Sequence, residues 1–118
     1  MSAHSTSTGE VQVETTVTSQ SPQRFCIYHT PFEGLRSKMF RVTHEEHEEL
    51  PYRGRMAKRR APQPKHFRDT SLGSPQACTV TLGKSYDLSR PGRYSVQFIG
   101  NDDVNGLPNS NITWFDVP

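Results

Sequence analysis

Apolar side chains recur at every second position in short runs along this chain, with polar residues between them. Val11, Val13 and Val17 alternate in this way, and Thr15 fills the remaining slot on the same face. Phe25 and Ile27 share a face in a run ending at His29, and Phe40 and Val42 share one within Met39 to Thr43. Val80 and Leu82 lie on one side of a run over 77–82. Tyr94, Val96 and Phe98 do the same over 93–99, and a last run spans 111–117. A period of two marks strands that bury one face. With a short return at Leu50 to Arg53, the pattern predicts about seven strands and no internal repeat.

Turn residues separate these runs. Ser19-Gln-Ser-Pro22 is expected to turn, and Thr30-Pro-Phe-Glu-Gly34 to form a compact loop. At Pro91-Gly92, proline presets φ and glycine tolerates the positive φ that follows. Tyr94 then sits at the mouth of a strand, in the Gly-x-Tyr setting of a tyrosine corner, where a phenol bonds back to upstream backbone and pins a sandwich edge. In an immunoglobulin domain a cysteine lies two residues beyond that tyrosine; here it is Val96. The predicted fold class is all-β: a single immunoglobulin-like antiparallel β-sandwich over residues 10–118, preceded by a disordered Ser/Thr-rich tail at 1–9. Residues 35–50 are ambiguous, since Leu35, Met39 and Val42 also fit helical spacing. A hairpin is the preferred expectation, because His44-Glu-Glu-His-Glu-Glu49 has nothing apolar to bury and reads as a solvated loop.

Composition narrows this picture. At 118 residues, 31% hydrophobic, the chain fits one domain with a small core. Its net charge of +2 is too small to imply a polyanionic partner by itself. No apolar run approaches the ~20 residues needed to span a bilayer, so no membrane partner is expected. The N-terminal residues lack the apolar stretch of a signal peptide, which predicts a cytoplasmic protein, or a secreted one if a leader was removed. In the simplest strand reading Cys26 points outward, opposite Phe25 and Ile27, while Cys78 points inward with Val80 and Leu82. Opposite faces cannot meet, so two free thiols are expected.

Candidate chemistry is sparse. His44-Glu45-Glu46-His47 invites comparison with the zincin motif, but its histidines are three apart rather than four, and no third ligand suggests itself. No metal or cofactor is expected. Arg53, Arg55, Lys58, Arg59, Arg60, Lys65 and Arg68 form a basic run in a long loop packed across the sandwich by Met56, Ala57 and Phe67. That run lacks interleaved aromatics for stacking on bases, which favours a structural or protein-contact surface over nucleic acid. Asn111-Ile-Thr113 is a glycosylation sequon, meaningful only in a secreted chain. Nothing resembles a nucleophile elbow, a phosphate loop or a dinucleotide turn, so a non-enzyme is expected.

Three segments, taken together, carry a resemblance. They are Thr30-Pro-Phe-Glu-Gly-Leu35 followed by Met39-Phe-Arg-Val42; Pro51-Tyr-Arg-Gly-Arg-Met-Ala-Lys-Arg59 with Pro62 after it; and Tyr86-Asp-Leu-Ser-Arg-Pro-Gly-Arg-Tyr94, with Ser110-Asn111 opening the final strand. Their order resembles the immunoglobulin-like N-terminal pro-region of deuterolysin-type, peptidyl-lysine zinc metalloendopeptidases, over roughly residues 11–117. The family's catalytic His-Glu-x-x-His and following aspartate have no counterpart here. The family's short Asp-Gly turn after the Phe-x-Val strand is replaced by the acidic 44–49 loop. The resemblance implies a non-catalytic interaction module that assists or silences a zinc endopeptidase, a standalone inhibitor being the sharpest form. Thr30, Pro31, Phe32, Glu33, Gly34 and Leu35 are the expected wedge, stiffened by Pro31 and anchored by Phe32. Arg55, Lys58, Arg59 and Arg60 are the expected basic contacts. The same loop residues could equally cap the sandwich as scaffold. The alternatives are a structural or adhesion-type module without a protease partner, and weak nucleic-acid binding through 53–68.

Overall fold

A computed structural model describes residues 1–5, 10–18, 23–58, 60–70, 76–101 and 103–118. Among them are nine strands: β1 (Ser2–Ser5), β2 (Val11–Val17), β3 (Gln23–Cys26), β4 (Phe40–His44), β5 (Glu48–Glu49), β6 (Phe67–Thr70), β7 (Gln76–Thr81), β8 (Gly92–Phe98) and β9 (Thr113–Val117). Three short 3-10 turns complete the elements, and no α-helix occurs among the described residues. The strands form antiparallel sheets in the orders β1-β2-β7 and β5-β4-β8-β9, with β3 and β6 as a separate ribbon. These orders match strands A-B-E and C′-C-F-G of an immunoglobulin-like sandwich. The expected all-β fold class is therefore what the chain forms.

Alternation explains the core. Val13 lies opposite Val80, Val42 opposite Val96, and Tyr94 opposite Phe115. Val11, Val13 and Val80 from one sheet meet Phe40, Val42, Tyr94, Val96, Phe98 and Phe115 from the other in a single buried cluster. Phe40 meets Phe98 edge-on at 6.2 Å, and Tyr94 stacks on Phe115 at 5.4 Å. Leu50, Leu82 and Tyr86 close the ends.

The tyrosine corner is present: Tyr94 Oη donates to Arg90 O at 2.6 Å. Gly92 holds φ 138°, a backbone conformation that favours glycine. The hairpin expected within 35–50 joins β4 to β5. Its tip is closed by His47 N–H to His44 O at 3.2 Å, and Glu45 and Glu46 both have positive φ, the pattern of a type I′ turn. The 44–49 segment is more than a solvated loop. Glu45 Oε1 accepts the Arg93 N–H at 3.0 Å, and Glu48 receives Arg90 at 2.5 Å. His44 packs on Tyr94 at 4.7 Å, accepting from Arg90 on Nδ1 and donating from Nε2 to Pro91 O.

Other expectations are corrected. The tail at 1–9 is not disordered throughout, since residues 2–5 pair with β2. Residues 6–9 and the turn at 19–22 lie outside the described residues. The return strand is β5 at 48–49 rather than 50–53, and β6 is an unexpected strand. Cys26 is buried rather than outward, as is its neighbour Phe25, so both faces of this ribbon are covered there; both thiols are free. Met56 does not pack across the sandwich but is 71% exposed.

Candidate functional site

The two segments singled out by sequence, 30–35 and 55–60, meet at one end of the molecule. The first is a 3-10 turn, Pro31–Glu33, capped by Thr30, whose Oγ1 accepts the Phe32 N–H at 3.2 Å and donates to Ile27 O at 2.6 Å. Gly34 ends it with φ 83°. Thr30 is fully enclosed and Pro31 is buried. Phe32 rests on Phe25 at 5.3 Å, and Leu35 packs against the core. The segment is a wound 3-10 turn rather than an extended wedge; Thr30 and Pro31 are buried framework, while Phe32, Glu33, Gly34 and Leu35 are half-buried.

Hydrogen bonds tie the chain around the two segments together. Ala57 N–H donates to Arg36 O at 2.8 Å, and Ile27 N–H to His66 O at 2.8 Å. Tyr52 Oη lies against both Leu35 O and Arg55 O. Burial holds the Tyr52 phenol above the ordinary tyrosine range, with Ser85 and Arg55 opposing it. Tyr28 Oη and the Gln63 N–H both reach His66 Nδ1, at 3.2 and 2.9 Å, so that nitrogen is an acceptor. The rings of Tyr28 and His66 lie 4.8 Å apart.

Between these walls runs a groove of about 460 Å³, lined by Tyr28, Glu33, Arg36, Lys58, Arg60, Lys65 and His66 among others. It gathers four full cations and one carboxylate. Four arginines elsewhere are paired locally: Arg24 by Asp69 at 3.5 Å, Arg41 by Glu49 at 3.6 Å, Arg53 by Asp87 at 3.8 Å and Arg90 by Glu48. Arg36, Lys58, Arg60 and Lys65 have no such partner among the described residues. Such a groove attracts an anion. Each contact at this exposure contributes roughly 0.2–1 kcal/mol and is screened by salt.

Of the residues chosen from sequence, Glu33, Lys58 and Arg60 therefore share one site. Phe32, Gly34 and Leu35 do not line it, Arg55 is exposed outside it, and Arg59 lies outside the described residues. Sequence reasoning missed Tyr28, Arg36 and His66. Tyr28 and His66 flank the β3–β6 ribbon, whose polar exposed residues Arg24, Arg68 and Asp69 hide it from an apolar count, and Arg36 follows the 3-10 turn. Among the described residues no group of three His, Cys, Asp or Glu side chains could hold a metal. No helix among them is long and apolar enough to cross a membrane. No protein-family model and no curated protein matches the chain.

Proposed function

We propose that this protein is a non-catalytic protein-interaction module that captures an acidic segment of a partner in the groove between residues 27–36 and 58–66. The observation that carries this is the convergence on one concave surface of four cations that have no ion-pair partner among the described residues. The groove is short and the Tyr28 ring is engaged by His66, which favours a carboxylate-bearing peptide over stacked bases. The pro-region resemblance supplies the partner to try first, a deuterolysin-type zinc metalloendopeptidase. Because the 31–33 turn is wound and Cys26 is buried, an inhibitory contact would run through the groove rather than through a substrate-like loop or a thiol on zinc. Two free thiols suit a reducing compartment such as the cytosol.

The test titrates the full chain against such an enzyme, beside a Lys58→Glu, Arg60→Glu double variant. Loss of activity at micromolar wild-type chain, relieved in the double variant, is expected. No loss at micromolar chain sinks the protease assignment. A steep salt slope with oligonucleotide rather than peptide would move the groove to nucleic acid.

A second reading rests on a different surface. Ile112 and Trp114 are exposed on and beside β9, the edge strand of its sheet, with Arg93 over the indole at 4.8 Å. A structural or adhesion-type module would pair there. Sedimentation that detects dimers lost on Trp114→Glu supports it; a monomer at high concentration excludes it.

A further inference from the structure

The basic groove concentrates more charge than its size demands for an ordinary acidic peptide. Its described lining sets Arg36, Lys58, Arg60 and Lys65 against the single carboxylate of Glu33, an excess of three positive charges. All four cationic side chains are exposed, so a ligand in the groove can reach them. At about 460 Å³ the groove has the size of a small-molecule site, so it seats only a few residues of an extended segment. A carboxylate brings one charge per residue. Balancing the excess over so short a stretch takes a side chain that concentrates charge. A phosphate ester does so, carrying about −1.5 to −2 at pH 7 on three strong acceptor oxygens.

The backbone fixes the roots of these cations while their heads stay in water. Both main-chain polar groups of Arg36 are engaged, its N–H with Gly34 O at 3.0 Å and its carbonyl with Ala57 N–H at 2.8 Å. The second bond sets Arg36 beside Lys58. On the other wall, Lys65 lies within the 3-10 turn Pro64–His66, where His66 N–H donates to Gln63 O at 2.8 Å and His66 O accepts from Ile27 N–H. Fixed roots lower the ordering cost of binding. Two of the four cations are arginines, whose planar fork matches a pair of phosphate oxygens, and the lysines add point charge. Apolar lining is scant: Ile27 and Ala61, beside a Tyr28 ring already engaged by His66. That favours a short phosphorylated side chain over the ring of phosphotyrosine. We propose that the groove recognises a phosphorylated serine or threonine in the partner segment, so that phosphorylation of the partner switches capture on. This rests on the reading of the groove as a peptide-binding surface and narrows it, with glutamate-bearing segments as weaker ligands. Recognition of phosphorylated segments by arginine clusters is a recurring mode of peptide binding.

The test is fluorescence anisotropy of the full chain with a short, otherwise neutral peptide bearing serine, glutamate, phosphoserine or phosphotyrosine at its centre. The phosphoserine form is expected to bind about tenfold more tightly than the glutamate form, the equivalent of one added charge-assisted hydrogen bond. It should also bind more tightly than the phosphotyrosine form, and the serine form should not bind. An Arg36→Lys, Arg60→Lys double variant keeps all four charges and changes only exposed positions. It should leave glutamate binding unchanged and erase most of the phosphoserine preference, because only the forked geometry is lost. Equal affinity for the phosphoserine and glutamate forms, or a preference that survives the double variant, overturns this proposal and leaves the acidic-segment reading standing. Phosphotyrosine bound as tightly as phosphoserine overturns the choice of side chain. Inorganic phosphate that displaces the phosphoserine peptide at matching concentration assigns the groove to the free anion and overturns the proposal as well. Binding by none of the peptides overturns the groove as a peptide surface, and this inference with it.

Discussion

Replacing Tyr86 by phenylalanine removes one oxygen atom and tests how the sandwich satisfies its edge. The ladder bonds between β4 and β8 fall on alternate residues, as Glu45 N–H to Arg93 O and Ile99 N–H to Met39 O show. Phe40 lies opposite Phe98, between those bonded pairs, so its carbonyl points toward the other flank of β4. There β5 is only two residues long and pairs with Thr43 and His44, leaving Phe40 beyond its reach. The Tyr86 phenol takes the place of the missing strand, donating to Phe40 O at 2.9 Å in a buried setting. Burial, first among the causes, raises this phenol far above the ordinary tyrosine range. Tyr86→Phe preserves the ring contact with Tyr52 and leaves a buried carbonyl unsatisfied. Such a loss costs about 1–3 kcal/mol. At about 2 kcal/mol, and with a urea dependence near 2 kcal/mol per molar, the unfolding midpoint should drop by roughly 1 M. Tyr94→Phe is the control, because its acceptor belongs to exposed Arg90, where water replaces the phenol; it should cost less than about 1 kcal/mol. Equilibrium urea unfolding of both variants decides. A Tyr86→Phe loss no larger than that of Tyr94→Phe would refute the idea that the phenol stands in for a strand.

Three further outcomes follow from the coordinates. Glu46 holds φ 67° at the exposed hairpin tip, so Glu46→Gly should stabilise the fold by about 0.5–1 kcal/mol in the same urea assay. Thr15→Val should stabilise the fold by about 1 kcal/mol in the same assay, since it removes a buried hydroxyl that has no hydrogen-bond partner among the described residues. Burial, with a smaller contribution from Glu14, pushes the Cys78 thiol up to about 11. At pH 8 Cys78 should therefore react with a thiol reagent about a hundredfold more slowly in the native protein than in urea. The unfolded chain ionises this thiol first, so its contribution to stability is complete below pH 9 and is lost as pH rises toward 11. A midpoint that climbs across that window would contradict the assignment.

The sandwich was legible because its physics is local. Val13, Val42, Val96 and Phe98 alternate with polar residues, and alternation alone turns them inward. Gly92 and Tyr94 could be read together because a positive φ and a back-bonding phenol each leave a residue signature. The β3–β6 ribbon left none. Phe25 and Cys26 are adjacent and both buried, which no period-two pattern expresses, while Phe67 lies beneath the Arg24 guanidinium and Arg68 points to solvent. The candidate site was half legible for the same reason. Lys58 and Arg60 advertise charge in sequence, but the concavity that joins them to Arg36 comes from Ala57, Tyr52 and His66 bonding across the fold. The acidic hairpin shows the opposite error. Glu45 and Glu48 look like solvated charge, yet they hold the backbone of Arg93 and the side chain of Arg90.

The most direct test of the groove as the working surface is an amide chemical-shift titration of the full chain with a short glutamate-rich peptide, at two salt concentrations. Saturable shifts confined to residues 27–36 and 58–66, weaker at higher salt and reduced about tenfold or more in affinity by the Lys58→Glu, Arg60→Glu pair, are expected. Shifts centred on Ile112 and Trp114, or none at millimolar peptide, would contradict it.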